Sequence, residues 1–201
     1  MAYILIGMET SNTTAKEFRK LGHKVISCDL LDNDEDNTNH YKGDVFDIIN
    51  DGFNFALFHP TCTYLTVSAN KWLKDQPKRK SGALVGPERR QAVEDAVTLF
   101  MKLVNCNIPH TAIENPIGIM STRYRKPDQV LQPWMFGHGE TKATCLWLKN
   151  LPKLTPTNIV EGREQRLHNL SPSKDRWKIR SKTYSGISEA MATQWHSILT
   201  N

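Results

Sequence analysis

The 201-residue sequence has no C-x-x-C pair among its four cysteines, no apolar run approaching 20 residues, no internal repeat and no low-complexity segment. Each absence excludes something. Without paired cysteine spacing there is no zinc-finger or disulfide framework, and no metal is expected. Cys28, Cys62, Cys106 and Cys145 are therefore read as reduced thiols in a cytoplasmic setting. Without a long apolar run no membrane span is expected. The opening "YILIG" lacks a basic leader and is too short for a secretory segment. What remains is globular in composition, 39% hydrophobic and 23% charged, and fits one domain over residues 1–201. A formal charge of +5 suits a polyanionic partner, although many soluble proteins with no nucleic-acid role are as basic.

Apolar periodicity sets out the elements. "AYILIG", "KVISCDL", "FNFALFHP", "HTAIENP" and "ATCLWL" read as five buried strands. Between them lie a short helix "TTAKEFRKLGH" closed by Gly22, an acidic loop "LDNDEDNTNHY" and a helical stub in "KGDVFDIIN". The longest helix, "GPERRQAVEDAVTLFMKLV", carries Pro87 in its first turn and an apolar face of Val93, Val97, Phe100 (or Met101) and Val104. Residues 150–183 read as an irregular basic insertion with a possible DNA-contacting role, and "GISEAMATQWHSIL" closes the chain as an amphipathic helix. Strands alternating with helices predict an α/β domain with a mainly parallel sheet. Such sheets bind ligands at the carboxyl ends of their strands.

Those ends carry chemistry. The first strand delivers Gly7, Met8, Glu9, Thr10 and Ser11; the second Asp29; the third His59, Pro60 and Cys62; the fourth Glu114 and Asn115. An acidic residue about 20 positions past the first turn commonly accepts hydrogen bonds from a ribose, which suits Asp29. Asp44 suits an adenine edge and the capping of a turn or helix equally well. Pro60 ends its strand and puts Cys62 on a loop, where a thiolate is a strong carbon nucleophile. A lone cysteine is more often inert packing, the role given to the other three. Glu114 closes an apolar strand, where an unpaired carboxylate is costly, and the following Asn115-Pro116 fixes the chain around it. A nucleophile with a carboxylic acid suits covalent attack on an electron-poor ring whose nitrogen must be protonated. "HPTCTY" departs from the N-P-P-[YF] loop of amino methyltransferases, since Cys62 stands where an aromatic would stack on the base.

Pro-x-Cys after the third strand and Glu-Asn-Pro after the fourth resemble motifs of the DNA cytosine carbon-5 methyltransferases. The likeness is greatest to short, phage-encoded members without a separate target-recognition domain. "METSNTTAKEFRKLGHKVISCDLLDND", "KGDVFDII", "FHPTCTYLTVSANKWL", "AIENPIGIMSTRYRKPDQVLQPWMFGHGETKATCLWLKNLPKL" and "DRWKIRSKTYSGISEAMATQW" extend it in order over nearly the whole chain. The resemblance implies a Rossmann-like fold, S-adenosylmethionine as cofactor and DNA with a flipped cytosine as substrate. It implies that Cys62 adds to carbon 6 and that Glu114 holds the exocyclic amine and protonates ring nitrogen 3. It gives the ribose hydroxyls to Asp29, the adenine to Asp44 and the methionine moiety to Gly7, Met8, Glu9, Thr10, Ser11 and Asn12, with His59 and Pro60 beside the cofactor. Asn115, Arg123, Arg125 and Arg180 are the candidate substrate contacts. Two positions depart from the pattern: Asn12 where a glycine is usual, and Thr61 where a second proline is usual. Loss of that glycine favours the rival reading, a catalytically silent protein that binds nucleic acid or a partner. Retention of Cys62 and Glu114 opposes it. Action on a free nucleotide is the third reading.

Overall fold

The computed structural model describes residues 1–35 and 38–200; Asp36 and Asn37, inside the expected acidic loop, lie outside the described residues. The chain begins with β1 (Tyr3–Gly7), whose apolar residues alternate between two layers. Ile4 and Ile6 join a cluster with Ala15 and Phe18 of α1 (Thr13–Lys20), while Leu5 joins the cluster on the other side. This is the period-2 geometry of a strand buried on both faces. The remaining strands are β2 (Lys24–Asp29), β3 (His40–Lys42), β4 (Phe55–Phe58), β5 (His110–Pro116), β6 (Gln129–Leu131) and β7 (Thr144–Lys149). The helices are α2 (Val45–Ile48), α3 (Gly86–Val104), α4 (Met120–Arg123), α5 (Arg176–Ser181) and α6 (Ser185–Thr200).

The strands form one seven-stranded sheet in the order β3-β2-β1-β4-β5-β7-β6. β1 to β5 pair in parallel, and β7 runs antiparallel to both β5 and β6. The mainly parallel, Rossmann-like α/β fold expected from the sequence is therefore present. Two strands were not foreseen: β3 and β6 have three residues each, too few to leave a periodic signal. The "ATCLWL" strand exists as β7, running opposite to its neighbour.

Helices cover both faces. α6 lies with α1 on one side, where Trp195 is fully buried, meets Phe55 edge-on at 5.6 Å and donates its indole N–H to the Pro152 carbonyl at 3.0 Å. α3 covers the other side. It buries Val93, Phe100 and Leu103, leaving Val97, Met101 and Val104 half-buried, so the inward stripe ends on Leu103 rather than on Val104. Apart from α5, residues 150–183 form no helix or paired strand.

β1 lies between β2 and β4, so the chain leaves it in one direction and returns on its other side. That reversal opens a crevice at the carboxyl edge. Because β7 is reversed, its amino end reaches the same edge: Asn115 pairs with Cys145 and Pro116 with Thr144. Among the described residues no helix is long and apolar enough to cross a membrane.

Candidate active site

The turn after β1 is built under strain. Met8 (φ 65°) and Asn12 (φ 58°) both occupy the left-handed region, which costs a side-chain-bearing residue roughly 1–2 kcal/mol. Asparagine tolerates that geometry better than most residues, and Asn12 stands at the N-cap position of α1, where its Oδ1 makes no capping bond and accepts instead from Arg19 Nη1 at 2.9 Å. The turn that usually takes glycine therefore forms around Asn12. Within it, Glu9 is buried, and its Oε1 accepts from the Ser11 hydroxyl at 2.8 Å and the Thr14 amide at 3.3 Å. Glu9 Oε2 is buried without a partner among the described residues. Thr14 Oγ1 meets Ser188 Oγ at 3.0 Å, fully buried, which ties α6 to the start of α1.

Asp29 and Asp44 each take a local partner. Asp29 Oδ1 accepts from the Leu31 amide at 2.9 Å, and Asp44 Oδ1 caps α2 through the Phe46 amide at 3.0 Å. A carboxylate has a second oxygen, so neither bond precludes a ligand.

At the end of β4 the chain turns through Pro60 and Thr61 to Cys62, which opens a short 3-10 turn (Cys62–Tyr64) and is exposed. Two contacts hold this loop. Buried Arg89 of α3 donates to the Thr63 carbonyl at 3.0 Å, and the Ile119 amide donates to the Leu65 carbonyl at 2.8 Å. Thr61 stands at φ −52°, a value that proline itself adopts, so the loop keeps a proline-like path without the proline.

β4 and β5 are neighbours, and this brings His59 onto Glu114, with Nδ1 and Oε2 3.2 Å apart and both side chains largely buried. Burial pushes the Glu114 carboxyl up. The hydrogen bond to His59, the charge of Lys142 and the Thr144 hydroxyl together outweigh it, so Glu114 sits below its ordinary value. Burial likewise pushes His59 down, but Glu114 and then Glu9 hold it above its ordinary value. Each group therefore favours the charged form of the other. Asn115 Nδ2 donates to the Pro60 carbonyl at 2.7 Å, while Asn115 Oδ1 and His59 Nε2 are buried without partners among the described residues.

The four thiols separate by environment. Burial pushes Cys28 up to about 12, helped by Asp29, Asp44 and Asp47, and pushes Cys145 up to about 11, helped by Glu114. Neither has a cation opposing the shift. Burial raises half-buried Cys106 too. Cys62 is raised by desolvation and then by Glu114, but Lys142 and Arg180 pull it back, and of the four only this thiol is exposed.

Lys142 was not among the sequence candidates. It lies two residues before β7, its Nζ donates to the Lys182 carbonyl at 3.1 Å, and its charge acts on both Glu114 and Cys62. The segment around α5 is tied down beside it. Asp34 pairs with Lys178 at 2.5 Å and Lys182 at 3.1 Å, and Glu140 accepts from Tyr184 at 2.6 Å and Arg166 at 2.9 Å. Arg180, a candidate substrate contact from the sequence, stands near enough for its charge to act on Cys62. Arg123 and Arg125 are not brought there: both Nη atoms of Arg123 donate to Glu94 of α3, and Arg125 pairs with Asp128 at 2.8 Å and with the Leu148 carbonyl toward the far end of β7.

No protein-family model and no curated protein matches the sequence. Solved structures do. One is a prophage-encoded E. coli protein assigned as a DNA modification methyltransferase, at 13% identity and TM-score 0.47, over 86% of this chain and 56% of that one. Another is the S. pombe Dnmt2 methyltransferase, at 12% identity and TM-score 0.40, over 76% of this chain and 50% of that one. The chain spans about half the length of each. Its fold rests on the strand order and register above, not on these likenesses.

Proposed function

We propose that this protein is a DNA methyltransferase that uses S-adenosylmethionine to methylate carbon 5 of cytosine through a covalent Cys62 adduct. One observation carries the reading: an exposed thiol, a buried carboxylate and two cations converge at the edge where the fold opens its crevice. The motifs around Cys62 and Glu114 resemble the cytosine carbon-5 family, and Asn12 in the left-handed region supports a formed cofactor turn over a silent relative.

The crevice also suits the cofactor. Glu9 presents a buried carboxylate oxygen with no partner among the described residues, a costly arrangement that a cationic ligand group would relieve. Gly7, Met8, Glu9, Thr10, Ser11 and Asn12 would hold its methionine end, Asp29 its ribose and Asp44 its adenine. Bound there, S-adenosylmethionine supplies an electrophilic methyl group. The protein's own groups do the rest. Cys62 attacks carbon 6, which makes carbon 5 nucleophilic. Glu114 holds the exocyclic amine and protonates nitrogen 3, and Asn115, steadied on Pro60, backs it. Lys142 and Arg180 stabilise the thiolate. Removal of the carbon-5 proton, by a base or a water, then allows elimination.

Bisulfite sequencing of DNA from cells expressing the protein tests activity, base and context together. The expected result is protected cytosines in a very short context, the target plus about one neighbour. Each bidentate base contact adds only about 1–3 kcal/mol of discrimination, and residues 150–183 have room for few. Complete conversion at every cytosine overturns the reading.

A further inference from the structure

The family pattern accounts for Cys62 and Glu114 but not for the histidine between β4 and the nucleophile. We propose that His59 supplies the proton that Glu114 delivers to ring nitrogen 3, acting through Glu114 rather than touching the base. The proposal rests on the methyltransferase reading above and deepens it.

The geometry is specific. His59 Nδ1 faces Glu114 Oε2 at 3.2 Å, and the two side chains are 10% and 14% exposed. Its other ring nitrogen is buried with no partner among the described residues, so among these Glu114 is the group that its ring hydrogen-bonds. The charged groups facing it are Glu114 from β5, Glu9 from the turn after β1 and Lys142 from the approach to β7. Its own loop carries Cys62. Two carboxylates against one lysine favour a cationic ring, and the raised His59 and lowered Glu114 agree with this.

That arrangement meets a need of the reaction. An ionised Glu114 cannot protonate anything, and its environment keeps it ionised. With His59 beside it the proton is stored one atom away. As the Cys62 thiolate forms its bond to carbon 6, electron density moves onto nitrogen 3. Glu114 Oε2 takes the His59 Nδ1 proton and, now a carboxylic acid, passes that same proton to nitrogen 3. The result is a ring protonated at nitrogen 3, a neutral imidazole and a carboxylate. On elimination the carbon–sulfur bond breaks, the proton returns through Glu114 to His59, and the thiolate leaves. No proton is gained or lost by the pair over the cycle.

Two measurements test this. The first is an NMR titration of the histidine side chains in wild type and Glu114→Gln, with His59→Gln providing the assignment. His59 should titrate above its ordinary value of 6.5 in wild type and move down in Glu114→Gln. The second is the pH dependence of kcat. The wild-type rate should fall as pH rises through the His59 value. His59→Gln can still hydrogen-bond Glu114, so it should lose that limb and drop kcat by about 10- to 100-fold, with KM for DNA within about twofold. A His59→Gln enzyme with the wild-type rate, or with the same alkaline limb, overturns the proposal. So does a wild-type His59 titrating at or below its ordinary value. If His59→Gln does not fold, the wild-type and Glu114→Gln titrations decide, the resonance then assigned by its response to Glu114→Gln. A wild type that neither methylates DNA nor forms a Cys62 adduct defeats the functional reading instead, whatever His59 does.

Discussion

Gly118→Ala probes how the nucleophile loop is held. Gly118 faces the loop's backbone through an isolated bridge to Thr66, beside the bond from the Ile119 amide to the Leu65 carbonyl. A methyl group there would overlap the Leu65 carbonyl oxygen, lie 2.9 Å from the Leu65 carbonyl carbon and 3.3 Å from Thr66 Cα. All three are backbone atoms, which cannot swing aside as a side chain would. Relieving the carbon contact alone, to about 3.5 Å, needs a shift of roughly 0.6 Å, and the oxygen demands more. Overpacking of this kind costs about 1–3 kcal/mol. Because Cys62 stands three residues before Leu65, the displacement reaches the thiol, and a misplacement of about 1 Å can cost 100-fold in rate. The assay is kcat beside the urea midpoint of the same variant. The expected result is kcat reduced by about 10- to 100-fold, with a folded protein destabilised by no more than about 3 kcal/mol. A Gly118→Ala enzyme within twofold of wild type would refute the view that this contact positions Cys62.

Three further outcomes follow from the site. Thr61→Pro should leave activity in place and raise stability by up to about 1 kcal/mol, since φ is already −52°; a loss of more than 1 kcal/mol in chemical denaturation would show the backbone argument to be wrong. Asp29→Ala should weaken S-adenosylmethionine binding by about 1.5–3 kcal/mol, and Asp29→Asn, which keeps the turn to Leu31, should also weaken it; unchanged calorimetric affinity in both removes Asp29 from the ribose. The His59–Glu114 pair should stabilise the fold most between 4.5 and 6.5, the ordinary values of its two groups. Raised His59 loses its contribution as pH rises through its folded value, and lowered Glu114 loses its own as pH falls through its folded value. The stability gap between wild type and Glu114→Gln should therefore be larger at about pH 5.5 than at about pH 9, and an equal gap at both contradicts the pairing.

The strands that carry Gly7, Asp29, His59 and Glu114 were legible because each is a long apolar run ended by polar residues. Parallel pairing then gathers those ends on one edge. The contact between His59 and Glu114 was not legible, since it needs β4 and β5 to be neighbours, and periodicity carries no strand order. Direction was equally hidden. Read as one more strand of a mainly parallel sheet, "ATCLWL" puts the residues before it at the opposite edge, so Lys142 went unnoticed. Arg89 was missed for another reason: in a helix starting "GPERRQ" an arginine reads as solvated, and only the fold shows it buried under the nucleophile loop. Asn12 was the converse case, because the left-handed preference of asparagine is a local property and survived into the structure.

The most direct test of the account is mass spectrometry of the protein after incubation with S-adenosylmethionine and DNA containing 5-fluorocytosine. Fluorine at carbon 5 cannot leave as a proton does, so elimination stops with the base still attached. The account predicts a covalent protein–DNA species in wild type, mapped by peptide digestion to Cys62, and none in Cys62→Ala, while Cys28→Ala and Cys106→Ala behave as wild type. Equal trapping in Cys62→Ala, or no adduct from a wild type that binds both cofactor and DNA, would contradict it.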